Sequence, residues 1–347
     1  MIVGMRTGAS KVEIDAVVQK VKTFGWNAQV STGTDKTIVA ILGSNTGQVS
    51  TDIFAVLPGV ENVTRIMKPY KLASREVKPK DTVVSINGVE VGGKKVVVMA
   101  GPCAVESEKQ LTEAARVIKD AGAVILRGGA FKPRTSPFSF QGLQAEGVEL
   151  LLKVKKQFDM PVVTEVVDTE DLELVAKAAD ILQVGSRNMQ NFSLLTAVGK
   201  KKRFLPNGSV PIPVVLKRGF ACTVTEWLTA ADYLLAEGND QVILCERGIR
   251  TFEDSTRFMV DIGAIPVIEK VSHLPVIVDP SHAAGHYSLV PAIARAAIAA
   301  GADGLLIEVH PNPKEALVDG LQSLTPSDFA RLMVELRKIA RAIGRDI

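Results

Sequence analysis

Little in this sequence of 347 residues advertises a partner. Its formal net charge is only +3, so no whole-chain field for nucleic acid is implied and any cationic site must be local. No stretch approaches the 18 apolar residues of a membrane span. No charged segment followed by an apolar run opens the chain, as a secretory signal would. Cysteine is scarce: Cys103, Cys222 and Cys245 are odd in number and lack C-x-x-C spacing, which argues against a disulfide framework and for a reducing, cytoplasmic setting. Histidine is scarce as well, with four, so the place of each one carries weight. What remains is 46% hydrophobic and 23% charged. That is the composition of a soluble chain long enough for one large domain and a small one.

Two rhythms divide it. Up to about residue 74 the order reads strand, helix, strand, strand, helix, strand. "MIVGMRT" is strand-like. In "SKVEIDAVVQKVKTFG", Ile14, Val17, Val18 and Val21 share one helical stripe, Ser10 with Glu13 makes a capping box, and Gly25 ends the helix. "WNAQVSTG", "KTIVAILG" and "VENVTRIM" follow as strands, with "TDIFAVLPGV" as a short helix. This is the βαββαβ order of a ferredoxin-like module over 1–74, whose order alone reads first as a structural cap and second as an amino-acid sensor, since fold does not fix function. Residues 75–94 are expected to form a linker and a hairpin around Asn87-Gly88.

From residue 95 to 347 strands and helices alternate strictly. "KVVVMAG", "AVILRGG", "PVVTEV", "ILQVGS", "PVVLKRG", "QVILCERG", "PVIVDPSH" and "GLLIEVH" are unbroken apolar runs, as parallel strands covered on both faces should be. The last helix, "TPSDFARLMVELRKIARAI", has Thr325 as cap, Pro326 in its first turn and a stripe through Phe329, Leu332, Met333, Leu336 and Ile339. Eight such units in this length predict a (β/α)8 TIM barrel; a doubly wound open sheet is the alternative.

A barrel builds its site from the C-terminal ends of its strands. There the sequence places Cys103 and Glu106, then Arg127, Lys132 and Arg134, then Glu165, Arg187, Lys217 with Arg218, Glu246 with Arg247, Asp279 with His282, and Glu308 with His310. A charge at a strand end is ordinarily a solvated lip residue. A rim supplied by all eight strands, with cations clustered on it, instead suits small multiply anionic ligands, phosphates and carboxylates, two at a time. Cys103, His282, Glu308 and Asp319 offer mixed sulfur, nitrogen and oxygen donors, which suits a divalent first-row ion; their long spacing also allows four separate rim residues. Cys222 reads as a helix start, Cys245 as a buried strand position, His273 as structural and His286 as a loop residue. The Lys200–Arg203 run reads as a solvated helix end.

"AGPCAVES", "RGGAFKPRTSPFSFQG", "VGSRNMQN", "LKRG", "ERGIRTFE", "VDPSHAAG" and "IEVHPNPKEALVDGLQSL" together resemble the 3-deoxy-D-arabino-heptulosonate 7-phosphate (DAHP) synthase family, in the barrel subtype that also includes 3-deoxy-octulosonate 8-phosphate synthases. The resemblance covers 83–347. It implies a shikimate-pathway entry enzyme that condenses phosphoenolpyruvate with erythrose 4-phosphate and releases phosphate. It further implies Cys103, His282, Glu308 and Asp319 as ligands of one divalent metal (Mn2+, Fe2+, Zn2+ or Co2+), and Arg127, Lys132, Arg187, Lys217 and Arg247 as phosphoenolpyruvate contacts. Arg134 and Thr135 match the grip on the aldose phosphate, and Glu165 is a candidate base for water. Lys132, its pKa depressed by neighbouring cations, is the expected proton donor to the new alkoxide. "KPRTS", against "KANRSS" in the octulosonate branch, favours the shorter aldose over arabinose 5-phosphate. Ser186 departs from the family's usual alanine, and "GKKKRFLPNGSVPIPVV" is longer than the usual loop. The first module resembles the family's feedback domain, implying tyrosine or phenylalanine bound between two modules of a homo-oligomer, a tetramer in the family, and closing the barrel mouth. A catalytically silent sensor is the rival from another class; no nucleic-acid or membrane partner is expected.

Overall fold

The computed structural model describes residues 1–347 except 34, 35, 44, 45, 47, 48, 66–68, 135 and 207. The chain forms two compact units, Met1–Lys80 and Asp81–Ile347.

The first unit comprises β1 (Ile2–Met5), α1 (Lys11–Thr23), β2 (Asn27–Thr32), β3 (Thr37–Leu42), α2 (Asp52–Ala55) and β4 (Val60–Thr64). The strands form one antiparallel sheet in the order β2-β3-β1-β4. Ser10 and Glu13 cap α1 reciprocally, and Gly25 follows its last turn with φ +71°, the left-handed conformation glycine adopts without cost. Val17 and Val21 of α1 are buried with Val3, Met5, Val39, Ile41 and Phe54, which form the core of this unit.

The second unit opens with β5 (Val84–Ile86) and β6 (Val89–Val91), a hairpin turning through Asn87 and Gly88, both at positive φ. β7 (Val97–Gly101), α3 (Glu108–Ala121), β8 (Ile125–Arg127), α4 (Ala145–Phe158), β9 (Val162–Val166), α5 (Leu172–Ala178), β10 (Ile181–Val184) and α6 (Phe192–Lys200) follow. After a second hairpin, β11 (Lys202–Leu205) and β12 (Gly208–Pro211), come β13 (Val214–Lys217), α7 (Val224–Ala236), β14 (Val242–Glu246) and α8 (Ala264–Val271). The chain ends with β15 (Val276–Val278), α9 (Pro280–Ala284), α10 (Val290–Ala299), β16 (Gly304–Glu308) and α11 (Pro326–Ala342). The eight strands expected from the apolar runs, β7–β10 and β13–β16, close into a parallel barrel.

The barrel interior is filled, as the fold requires: Met99, Ile125, Val163, Ile181, Val215, Ile243, Ile277 and Leu306 are buried together, and Val84, Ile86 and Val91 of the first hairpin join them. Thr82 N donates to His273 O at 2.7 Å and Asn87 Nδ2 to Asp180 Oδ1 at 3.0 Å. Both acceptors precede a barrel strand, so the hairpin stoppers the N-terminal end and leaves the C-terminal end for chemistry.

Two local differences from the sequence reading have clear causes. The seventh barrel strand stops at Val278, and His282 sits on the short helix α9 instead of a strand end. The Asp279 side chain accepts from His282 N at 3.0 Å and Pro280 occupies the first turn, a cap and proline pair that starts a helix. The Lys200–Arg203 run is not simply a solvated helix end. Lys202 and Arg203 belong to β11, and Arg203 is paired with the buried Asp180 at 3.2 Å.

Candidate active site

The ends of three barrel strands, β7, β15 and β16, and the segments that follow them converge on one cluster. Ligand-capable atoms of Cys103, His282, Glu308 and Asp319 all lie within 4.8 Å of one another. Cys103 Sγ is 3.4 Å from Asp319 Oδ2, and His282 Nε2 is 3.5 Å from Glu308 Oε1 and 3.7 Å from Asp319 Oδ2. The other imidazole nitrogen, Nδ1, is 2.7 Å from Asp279 Oδ2, so Nε2 is the atom turned toward the cluster. Lys217 Nζ holds the same Asp279 oxygen at 2.5 Å. One sulfur, one nitrogen and two carboxylates, with the histidine oriented by a third carboxylate, Asp279, fit a divalent metal ion well.

The surroundings set the charge of each donor. Burial, and then Glu308, push the Cys103 thiol up to about 12. Glu308 is held down at about 2: burial works against its charge, but His282, Arg127 and Lys132 outweigh it. Burial lowers the pKa of His282 against the pull of Asp279 and Glu308, which favours the neutral, ligating imidazole.

Above the cluster opens a cavity of about 440 Å³. Lys132, Arg134, Arg187, Lys217 and Arg247 line it, with Glu165, His282 and Asp319 as the acidic and neutral members. Lys132 spans both regions, because Nζ also lies 3.2 Å from Cys103 Sγ and 3.0 Å from Cys103 O. Glu165 is steadied by Gln183, whose Nε2 donates to Oε2 at 3.0 Å. Gly185 lets the chain pass it: a Cβ there would come within 2.1 Å of Glu165 Oε1. The neighbouring Ser186 Oγ is buried without a hydrogen-bond partner. Arg247 stacks over two rings, 4.0 Å from the centroid of Phe258 and 4.9 Å from that of Phe220; burial lowers its pKa to about 10.

One expectation is corrected. The pKa of Lys132 is raised, not depressed. Burial does oppose its charge and Arg127 adds to that, but Cys103, Glu165 and Glu308 prevail. Arg127, expected among the phosphoenolpyruvate contacts, is 4% exposed and lies under the cavity, its Nη1 bonded to Glu308 Oε1 at 2.7 Å and to Pro102 O at 3.0 Å. Thr135 lies outside the described residues. Arg218 turns away to Glu246 and Asp261, at 2.8 and 2.9 Å. His273 is buried beside Thr82, Nδ1 2.8 Å from Oγ1, so its structural reading holds. Sequence reasoning missed Arg250 and Arg257, both on the cavity wall with Phe220 and Phe258, and Gln322, which donates to Glu308 Oε2 at 2.6 Å. No strand-end rule reaches them, since they lie on long loops and a turn.

A filled parallel barrel with a metal-ready donor cluster under a cation-lined mouth defines an enzyme of the (β/α)8 class for phosphorylated small molecules. The chain belongs to the DAHP synthetase I family, which it matches over residues 76–342; residues 1–68 match the DAHP synthase ferredoxin-like domain. It is 46% identical to the phospho-2-dehydro-3-deoxyheptonate aldolase of Thermotoga maritima, over 99% of both chains. The crystal structure of that Thermotoga maritima enzyme (DAHP synthase) superposes with a TM-score of 0.76 at 45% identity, covering 99% of this chain and 98% of the other. The 2-dehydro-3-deoxyphosphooctonate aldolase of Francisella tularensis subsp. mediasiatica is 31% identical over 75% of this chain and 98% of its own.

Proposed function

We propose that this chain condenses phosphoenolpyruvate with erythrose 4-phosphate and water to give DAHP and phosphate, the first step of the shikimate pathway. The observation that carries the reading is the position of Lys132, which faces the cation-lined cavity and touches the donor cluster at once. Arg187, Lys217 and Arg247 hold the carboxylate and phosphate of phosphoenolpyruvate, and Arg134 takes the aldose phosphate at the outer wall. Fixing two anions side by side converts a bimolecular encounter into an aligned one. Arg127 acts from below by neutralising and orienting Glu308.

Cys103, His282, Glu308 and Asp319 would hold a divalent ion, which would supply Lewis acidity to the site. As C3 of phosphoenolpyruvate bonds to the aldehyde carbon, Lys132 gives its proton to the oxygen that becomes a hydroxyl. A donor whose pKa is raised arrives protonated at neutral pH, which suits this step. Glu165, across the cavity, takes one proton of the water that adds at C2; the bond from C2 to the phosphate oxygen then breaks as the new C2 hydroxyl passes its proton to the departing phosphate, leaving the ketone. The aldose is assigned to erythrose 4-phosphate on "KPRTS", in which Pro133 fixes the backbone between Lys132 and Arg134, and on the greater likeness to the heptonate aldolase. The first unit is read as a sensor of tyrosine or phenylalanine, working in a homo-oligomer.

The test follows phosphoenolpyruvate absorbance after chelation and Mn2+ repletion, with either aldose. Consumption only with erythrose 4-phosphate and metal is expected. Turnover of arabinose 5-phosphate would transfer the chain to the octulosonate branch. Inertness with both sugars would favour a silent sensor.

A further inference from the structure

The loop between β14 and α8 brings to the cavity an arginine that the reaction above leaves without a task. Arg257 Nη1 donates to Gln322 Oε1 at 2.7 Å, and Gln322 Nε2 donates in turn to Glu308 Oε2 at 2.6 Å. The same Arg257 nitrogen lies 3.4 Å from Asp319 Oδ1, while the other Asp319 oxygen faces Cys103 and His282. Arg257 thus reaches two of the four donors, one directly and one through Gln322. Its side chain is 40% exposed and lines the cavity, whereas Gln322 is 2% exposed.

The geometry has little slack. Only one orientation of the Gln322 amide can accept from a guanidinium and donate to a carboxylate. Glu308 Oε1 is already taken by Arg127 at 2.7 Å, so Gln322 completes the grip on that carboxylate by holding its second oxygen. The loop is tied to the His282 helix as well: Phe258 N donates to Ala283 O at 2.9 Å, and a Cβ on Gly285 would come within 2.5 Å of Arg257 Cβ.

We propose that Arg257 and Gln322 are positioning residues that hold Asp319 and Glu308 in their ligating arrangement and couple it to an anion bound in the cavity. The proposal rests on the metal-dependent reading above. The Arg257 charge opposes a cation among the four donors. An anion that pairs with Arg257 from the cavity side offsets that charge. Metal and anion then raise one another's affinity by the same factor, as linkage demands.

The experiment titrates the full-length protein with Co2+, following thiolate-to-cobalt absorption against a competing chelator, with and without inorganic phosphate. In the wild type, phosphate should tighten Co2+ binding by about 5-fold or more. Q322L should weaken Co2+ about 10- to 100-fold and alter the absorption band. R257Q should lose most of the phosphate effect, and R257K should restore part of it. R257Q changes a half-exposed head group, so it carries the test even if Q322L misfolds. Wild-type affinity, spectrum and phosphate response in R257Q would overturn the proposal while leaving the metal reading intact. A wild type that takes up no Co2+ would overturn both.

Discussion

Two side chains at the floor of the mouth set the chemistry at the residue scale, and their proton states give two predictions. Lys132 is buried, yet held above the ordinary lysine range by Cys103, Glu165 and Glu308. It therefore keeps its proton throughout the neutral and mildly alkaline range, and its loss of charge should not limit turnover there. K132M, which keeps the length without the proton, should lower kcat by about 10²- to 10⁴-fold while Co2+ still binds; steady-state kinetics beside a cobalt titration would check both. Cys103 is the reverse case. Its thiol titrates at about 12, whereas Glu308 is ionised above about 2 and burial favours neutral His282. Of these three donors only Cys103 carries a proton that a metal must displace. Metal uptake near pH 8 should therefore release about one proton, and affinity should climb about tenfold per pH unit. Calorimetry in buffers of different ionisation enthalpy would measure this, and a count of zero would remove Cys103 from the ligand set. C103S should lose the thiolate absorption altogether.

The elements were legible where their periodicity was strong and opaque where a side chain set the geometry. All eight barrel strands could be read from unbroken apolar runs, because parallel strands buried on both faces have no polar alternation to disguise them. The capping box of α1 and the Thr325-Pro326 start of α11 were visible for the same reason: local hydrogen bonding decides them. Helix α9 was hidden inside what read as a strand end, although Asp279 and Pro280 spell a helix start. Arg257 and Gln322 could not be read at all, because their task depends on a loop folding back across more than 60 residues of sequence, from 257 to 322. The β5–β6 hairpin tests how far an element can be separated from the site. Ile86 is 3% exposed within the barrel's interior cluster, at the end away from the cavity. I86A should cost about 2–5 kcal/mol, seen as a lower Tm, with KM for both substrates unchanged. A changed KM would mean that the packing of this stopper reaches the opposite rim.

At the scale of the whole molecule the question is which unit carries which task. Each has a core of its own: Val3, Met5, Val17, Val21, Val39, Ile41 and Phe54 in one, the barrel interior in the other. The chain also divides at a single point, between Lys80 and Asp81. Every described residue assigned here to substrate or metal lies beyond that point, so the chemistry has no covalent need of the first unit. A variant beginning at Asp81 should therefore fold, bind Co2+ and condense the two substrates, while losing any inhibition by tyrosine or phenylalanine that the full chain displays. The comparison is made on initial rates with and without each amino acid, beside light scattering of both forms. Inhibition that survived truncation would move the effector site into the barrel. Loss of cobalt binding on truncation would instead make the first unit part of what holds the donor cluster together, and the division of labour drawn from the two cores would fail.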